Sequence, residues 1–132
     1  MSKVNPTDRK YSKDHEWILD HGDGIATLGI TDHAQELLTD IVYVELPEIG
    51  KKVTSGDAIA AVESVKSVSD IFSPISGEVI DVNRKLEASP NLINADAFGE
   101  GWIVKLNMDD AAAGSALMNA DEYESMIVAD RQ

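Results

Sequence analysis

Residues 61–70 read AVESVKSVSD. Small and β-branched residues flank Lys66 on both sides, with Glu63 and Asp70 at the margins. Between Lys52 and Arg84 this lysine is the sole basic residue, in a window that also holds Asp57, Glu63, Asp70, Glu78 and Asp81. Pairing 59–64 with 67–71 as antiparallel strands makes Val65 and Lys66 the two central residues of the turn. Two-residue hairpins favour Gly, Asn or Asp there, because types I′ and II′ need positive φ. A valine in that place breaks the local rule, and such breaks are expected at functional sites. In this register Glu63 opposes Val68, and Asp70 lies diagonal to Glu63 on the same face, so both carboxylates are expected beside the lysine.

Outward from the lysine, PEIGKKVTSGDAIAAVES precedes it with two glycine turns and a strand, and SVSDIFSPISGEVIDVN leads away through strand, turn and strand. This is a weak echo of two halves meeting at Lys66; residue identity alone does not make it a repeat. Upstream, EWILD (16–20) and IATLGI (25–30) flank the Gly-rich HGDG and read as a hairpin, and IVYVEL (41–46) reads as a further strand. Between them ITDHAQELLTD predicts a short helix capped by Thr31 or Asp32, with Gln35 in capping-box position to Asp32 and Ala34, Leu37 and Leu38 on its apolar face. Downstream, LEASPNLINADAFGEGW predicts a loop with one helical turn after Pro90, and WIVKLNM closes the β region. Asn119 with Glu122 signals a C-terminal helix over 119–130, with Tyr123, Met126 and Ile127 as its apolar stripe. The polar first ten residues, with Pro6, predict a loose arm. Many short strands separated by turns predict a mainly β sandwich or barrel with peripheral helices, in a single domain over 1–132.

Composition narrows the chemistry. The chain has no cysteine, which removes disulfides, thiolate zinc sites and cysteine nucleophiles, so redox chemistry would come from a cofactor. A formal charge of −13 opposes nucleic-acid and anionic-membrane binding; it favours solubility and steering towards basic partner faces. The start has no apolar h-region and no run reaches membrane-span length, so a cytoplasmic protein is expected, or a processed mitochondrial matrix form. His15, His21 and His33 lack metal-site spacing. A Schiff-base lysine needs a lowered pKa, and anionic neighbours act in the opposite sense. An amine at a hairpin tip suits acylation by another enzyme instead.

DIVYVELPEIG followed by AVESVKSVSDIFSPISGEVIDVN closely resembles the H protein family of the glycine cleavage system, as do DHEW (14–17), GITDHAQELL (29–38), SPNLIN (89–94) and GEGW (99–102). The resemblance runs in family order over nearly the whole chain. It implies a barrel-sandwich hybrid of the lipoyl/biotinyl-domain kind, and lipoate in amide linkage on Lys66. It also implies a non-catalytic carrier that takes an aminomethyl group from glycine decarboxylase, a pyridoxal-phosphate enzyme, to a tetrahydrofolate-dependent aminomethyltransferase. Dihydrolipoyl dehydrogenase then reoxidises the arm, and a lipoate ligase or lipoyl transferase attaches it. A carrier that docks several enzymes is expected to be a monomer.

The same resemblance places arm-cleft contacts at Glu16 and Asp70. Asp14, where some members have serine, is a further candidate, and His33 could border the cleft. Glu63, Ser64, Val65 and Ser67 flank the lysine and are candidates for recognition by the attaching enzyme. Trp17 and Trp102 are assigned to the core or the cleft rim. The alternative carrier is a lipoyl or biotinyl domain of another acyl- or carboxyl-transfer complex, but biotinyl domains place methionine on both sides of the lysine, where this chain has Val65 and Ser67. An enzyme pairing Lys66 with Glu63 or Asp70, and a purely structural β protein, are the readings from other classes.

Overall fold

A computed structural model describes residues 5–110 and 117–130. In chain order the described elements are β1 (Lys10–Tyr11), β2 (Glu16–Asp20), β3 (Ile25–Ile30), α1 (Asp32–Leu38), β4 (Ile41–Glu45), β5 (Lys52–Val53), β6 (Ala58–Ser64), β7 (Val68–Phe72), β8 (Gly77–Val82), α2 (Lys85–Ala88), α3 (Leu92–Ala95), β9 (Val104–Met108) and α4 (Ala120–Asp130). The strands form two antiparallel sheets, one ordered β1-β2-β3-β9-β8-β5 and the other β4-β6-β7. Ile18, Leu28, Val79 and Leu106 of the first sheet and Val44, Val62 and Ile71 of the second belong to one buried core. This is the expected mainly β barrel-sandwich arrangement with helices at its edge.

The strands on either side of Lys66 pair in nested order. β6 pairs with β7 from Glu63–Val68 to Ala58–Phe72, and β5 pairs with β8 through Lys52–Glu78 and Val53–Gly77. Between these ladders Gly56 N–H donates to Ser73 O and Ser73 N–H to Asp57 O, each at 2.8 Å. Residues 52–64 and 67–78 therefore form one long bent hairpin that crosses from one sheet to the other, with Lys66 at its tip. The echo of two halves in the sequence has this pairing as its structural counterpart.

The β2–β3 hairpin turns where expected. Gly22, Asp23 and Gly24 all take positive φ (86°, 56° and 80°), which glycine adopts freely and aspartate tolerates. Across this hairpin Trp17 faces Gly29, and a Cβ on Gly29 would lie 2.5 Å from the indole. The ring lies over that bare backbone, its Nε1 donating to Ile30 O (2.9 Å) and Ala97 O (3.1 Å). Trp17 is thus a core residue, in a second cluster with Tyr11, Ala120, Tyr123 and Ile127. Trp102 packs against the same cluster.

Several local expectations change. Thr31 caps α1, its hydroxyl accepting from Ala34 N–H at 3.2 Å, while Gln35 donates to Asp32 at 3.0 Å instead of closing a capping box. The α4 box forms as read: Asn119 N–H donates to Glu122 and Glu122 N–H to Asn119. The helix α2 was not anticipated. Nor was β1, a two-residue strand that exists because Lys10 and Tyr11 pair with Ile18 and Trp17. Residues 1–4 of the expected loose arm lie outside the described residues. From Asn5 onward the segment is anchored: Asn5 donates to Glu124, Tyr11 OH to Pro6 O, and Arg9 lies 4.6 Å over the Trp17 ring while donating to Phe98 O.

Adding one methyl at Gly29 pushes it into the indole, and overpacking of a filled core costs about 1–3 kcal/mol. Gly29→Ala should lower the unfolding free energy by that amount in urea titrations; an unchanged midpoint contradicts the close approach.

Candidate functional site

At the hairpin tip the structure replaces the expected primed turn with a side-chain device. Among the described non-glycine residues only His15, Asp23 and Thr39 have positive φ, so Val65 and Lys66 turn the chain without it. Ser64 provides the substitute. Its hydroxyl accepts from Lys66 N–H and Ser67 N–H and donates to Ser67 O, each at 3.2 Å, while Ser64 N–H donates to Ser67 O at 2.8 Å. One donor and two acceptor sites are the full capacity of a hydroxyl. Val65 N–H donates to Asp40 O (3.1 Å), which ties the tip to the loop after α1. Ser64 is buried, whereas Val65, Lys66 and Ser67 are exposed.

Glu63 does oppose Val68, and Asp70 pairs with Ala61 on the same outward face. No carboxylate among the described residues lies within 4.0 Å of the Lys66 ammonium, so the two acids frame the tip without an ion pair to it.

The free edge of β7 borders a cleft of about 320 Å³ whose walls include Asp14, His15, Glu16, Leu37, Ser69, Asp70, Ile71 and Phe72. Three to six residues separate Lys66 from this stretch of β7, about 10–20 Å at the rise of a strand. Leu37, expected on a buried stripe, is 58% exposed because it lines the cleft rather than the core. A second cleft of about 430 Å³ lies on the other side of Glu16 and shares Lys13, Asp14, Glu16 and Phe72 with the first.

Glu16 is the buried member of this acidic group, 3% exposed. Ser12 Oγ donates to its carboxylate at 2.5 Å and accepts from its own N–H at 3.1 Å. Burial pushes the Glu16 carboxyl up to about 7; the Ser12 hydrogen bond opposes this, the charge of Asp14 adds to it, and the Phe72 N–H opposes it. Asp14 and Asp70 are exposed on the same cleft. The structure thus brings Glu16, Asp14 and Asp70 together. His33 does not itself line the cleft: its ring packs against that of His15, 4.8 Å between centroids, and His15 is the histidine in the cleft wall. Sequence reasoning missed Ser12 and His15, for which no spacing signal exists, and Phe72, which alternation would place on the outer face.

The cleft combines apolar side chains, among them Leu37, Leu38, Ile71 and Phe72, with the carboxyl groups of Asp14, Glu16 and Asp70, which suits a hydrocarbon arm with a cationic end. An exposed amine at the tip, free of ion pairs, suits acylation. The residues present therefore fit a lipoyl group on Lys66.

Because folded Glu16 keeps its proton up to about pH 7 and the unfolded chain releases it near 4.5, the folded state binds more protons between these values. Stability should fall across that window, by roughly 3 kcal/mol for this one group. Unfolding titrations from pH 4 to 8 should show the loss in the natural chain and not in Glu16→Gln; parallel pH profiles would contradict the buried carboxyl.

A family model described as glycine cleavage H-protein matches residues 9–130. The glycine cleavage system H protein of Alteromonas mediterranea is 52% identical over 127 residues, 96% of this chain and 98% of that protein. That of Shewanella oneidensis is 55% identical over the same shares of the two chains. Among solved structures, a glycine cleavage system H protein from Mycobacterium marinum matches with a TM-score of 0.85 at 38% identity, covering 94% of this chain and 99% of that one.

Proposed function

The chain belongs to the glycine cleavage H-protein family, the lipoyl carriers of glycine cleavage, and from that premise we propose that Lys66 is its lipoate attachment point and Glu16 the centre of its arm cleft. The observation that carries this is the exposed, unpaired Lys66 at a hydrogen-bonded tip whose outgoing strand forms a wall of an apolar, carboxylate-bearing cleft. Bound as an amide on Lys66, lipoate supplies the dithiol–disulfide couple that a chain without cysteine lacks.

The chain's own residues present, shelter and hand over. Ser64 holds the tip so that the Lys66 amine projects from it. Glu63, Val65 and Ser67 surround that amine and are the surface an attaching enzyme meets. Acylation removes the lysine charge, as acetylation does. Leu37, Leu38, Ile71 and Phe72 then cover the hydrocarbon of an arm folded back along β7. Glu16, Asp70 and Asp14 accept hydrogen bonds from the ammonium of the aminomethyl cargo. A cation arriving beside Glu16 favours its charged form, so a carboxyl poised near 7 gives up its proton as the cargo docks.

No residue of the chain performs the chemistry on the cargo. Glycine decarboxylase, the aminomethyltransferase and dihydrolipoyl dehydrogenase act in turn on a tethered arm, and a lipoate ligase or lipoyl transferase installs it. Tethering raises the local concentration of cargo at each docked enzyme. The charge of −13 steers the carrier towards basic docking faces. In this reading the chain works as one carrier domain, monomeric and cytoplasmic.

Lys66→Arg keeps the positive charge and the fold but removes the acylable amine. It should abolish glycine–bicarbonate exchange with the decarboxylase while leaving the melting temperature unchanged. Retained lipoate-dependent exchange in that variant would refute the attachment at Lys66.

A further inference from the structure

We infer, resting on the carrier reading above, that Tyr123 on the C-terminal helix is the positioning residue that holds Glu16 in the arm cleft. Tyr123 is fully buried, is not among the lining residues of either cleft beside Glu16, and stacks on Tyr11 with ring centroids 4.8 Å apart and planes 10° from parallel. Its hydroxyl lies 2.7 Å from His15 Nδ1 and 2.7 Å from Thr31 Oγ1. These two partners join the two chain segments that face β7 across the cleft. His15 immediately precedes Glu16, and Thr31 caps α1, which carries Ala34, Leu37 and Leu38. A backbone hydrogen bond from Thr31 N–H to His15 O (3.0 Å) closes the same junction.

The backbone shows why an anchor is needed there. His15 adopts φ 69°, a left-handed conformation unfavourable for a residue with a side chain. This reversal lets the chain double back, so that His15 N–H donates to Ser12 O (3.2 Å) and Ser12 N–H to Glu16 O (2.9 Å). The same turn brings Ser12 Oγ onto the Glu16 carboxylate. An unfavourable conformation persists where its surroundings over-determine it. The hydrogen bond at His15 Nδ1 is a side-chain part of that restraint, and its other end is Tyr123. Tyr11 extends the connection, since its N–H and C=O exchange hydrogen bonds with Met118 just before α4. The final helix thus fixes the corner that aims Glu16, without itself touching what the cleft holds.

The test compares Tyr123→Phe, Glu16→Gln and the double variant with the natural chain. Tyr123→Phe keeps the buried ring and its stack and deletes only the hydroxyl. Each chain is lipoylated, loaded through glycine decarboxylase and glycine, and followed by intact-protein mass spectrometry for loss of the aminomethyl group. In parallel, the Glu16 carboxyl is titrated by carbon-13 NMR in the unlipoylated proteins.

Each single variant should lose its cargo about two- to tenfold faster, the range for one hydrogen bond, and the double should be no faster than Glu16→Gln alone. The Glu16 midpoint in Tyr123→Phe should drop from about 7 towards the ordinary carboxyl value as the side chain loosens into water. An unmoved midpoint, or effects that multiply in full in the double variant, overturns the positioning role. Unchanged cargo loss in Glu16→Gln overturns the arm-cleft reading instead, and a lowered midpoint in Tyr123→Phe then still upholds the link between the two residues. Where Tyr123→Phe does not fold, His15→Ala removes the other end of the same hydrogen bond and takes the same readouts.

Discussion

The backbone ladder that starts at Ser64 and Ser67 and runs outward to Lys52 and Glu78 organises the molecule. Because its two arms bend together from one sheet into the other, they join the sheets and enclose the core between them. Its closed end has to be a tight turn, and its two central residues are valine and lysine. Glycine would permit a primed turn there; Ser64 permits this one by satisfying the Lys66 and Ser67 amides with its own hydroxyl. A side chain with one donor and two acceptor sites takes over what positive φ does elsewhere. The tip is thereby free to carry a residue chosen for its amine.

The opposite edge of β7 gives the second half of the design. A strand edge left open invites pairing with other chains. Here the segment from Lys13 to Glu16, together with α1, stands over that edge at a distance and leaves a cleft, which Glu16 and Phe72 both line. Burial and the charge of Asp14 make Glu16 a weak acid near neutrality, while Asp14 and Asp70 remain in water. The cleft therefore offers carboxyl groups in two states of hydration, one buried and two exposed.

Much of this was legible in the sequence because local chemistry decided it. Alternation and turn residues marked the β2–β3 hairpin, and the Asn119–Glu122 box marked the start of α4. The pairing register around Lys66 followed from taking Val65 and Lys66 as the two central residues of the turn, and Glu63 does face Val68. What stayed hidden depends on distant partners. β1 exists only because β2 lies beside it, and Arg9, besides pairing with the adjacent Asp8, lies over the rings of Trp17 and Phe98, which are distant in sequence. Leu37 fits a helical stripe, yet it faces the cleft, since periodicity cannot tell a core from a groove. His15 lines the cleft and His33 packs against it, a division that the spacing of the two histidines in sequence does not reveal.

The central claim is that this hairpin tip exists to present Lys66 for acylation. It is tested most directly by producing the chain together with a lipoate-attaching enzyme and mapping the modification by peptide mass spectrometry. A single lipoyl group on the peptide spanning Lys66, with every other lysine unmodified, is the predicted result. An unmodified Lys66, or a lipoyl group on another lysine, would contradict it.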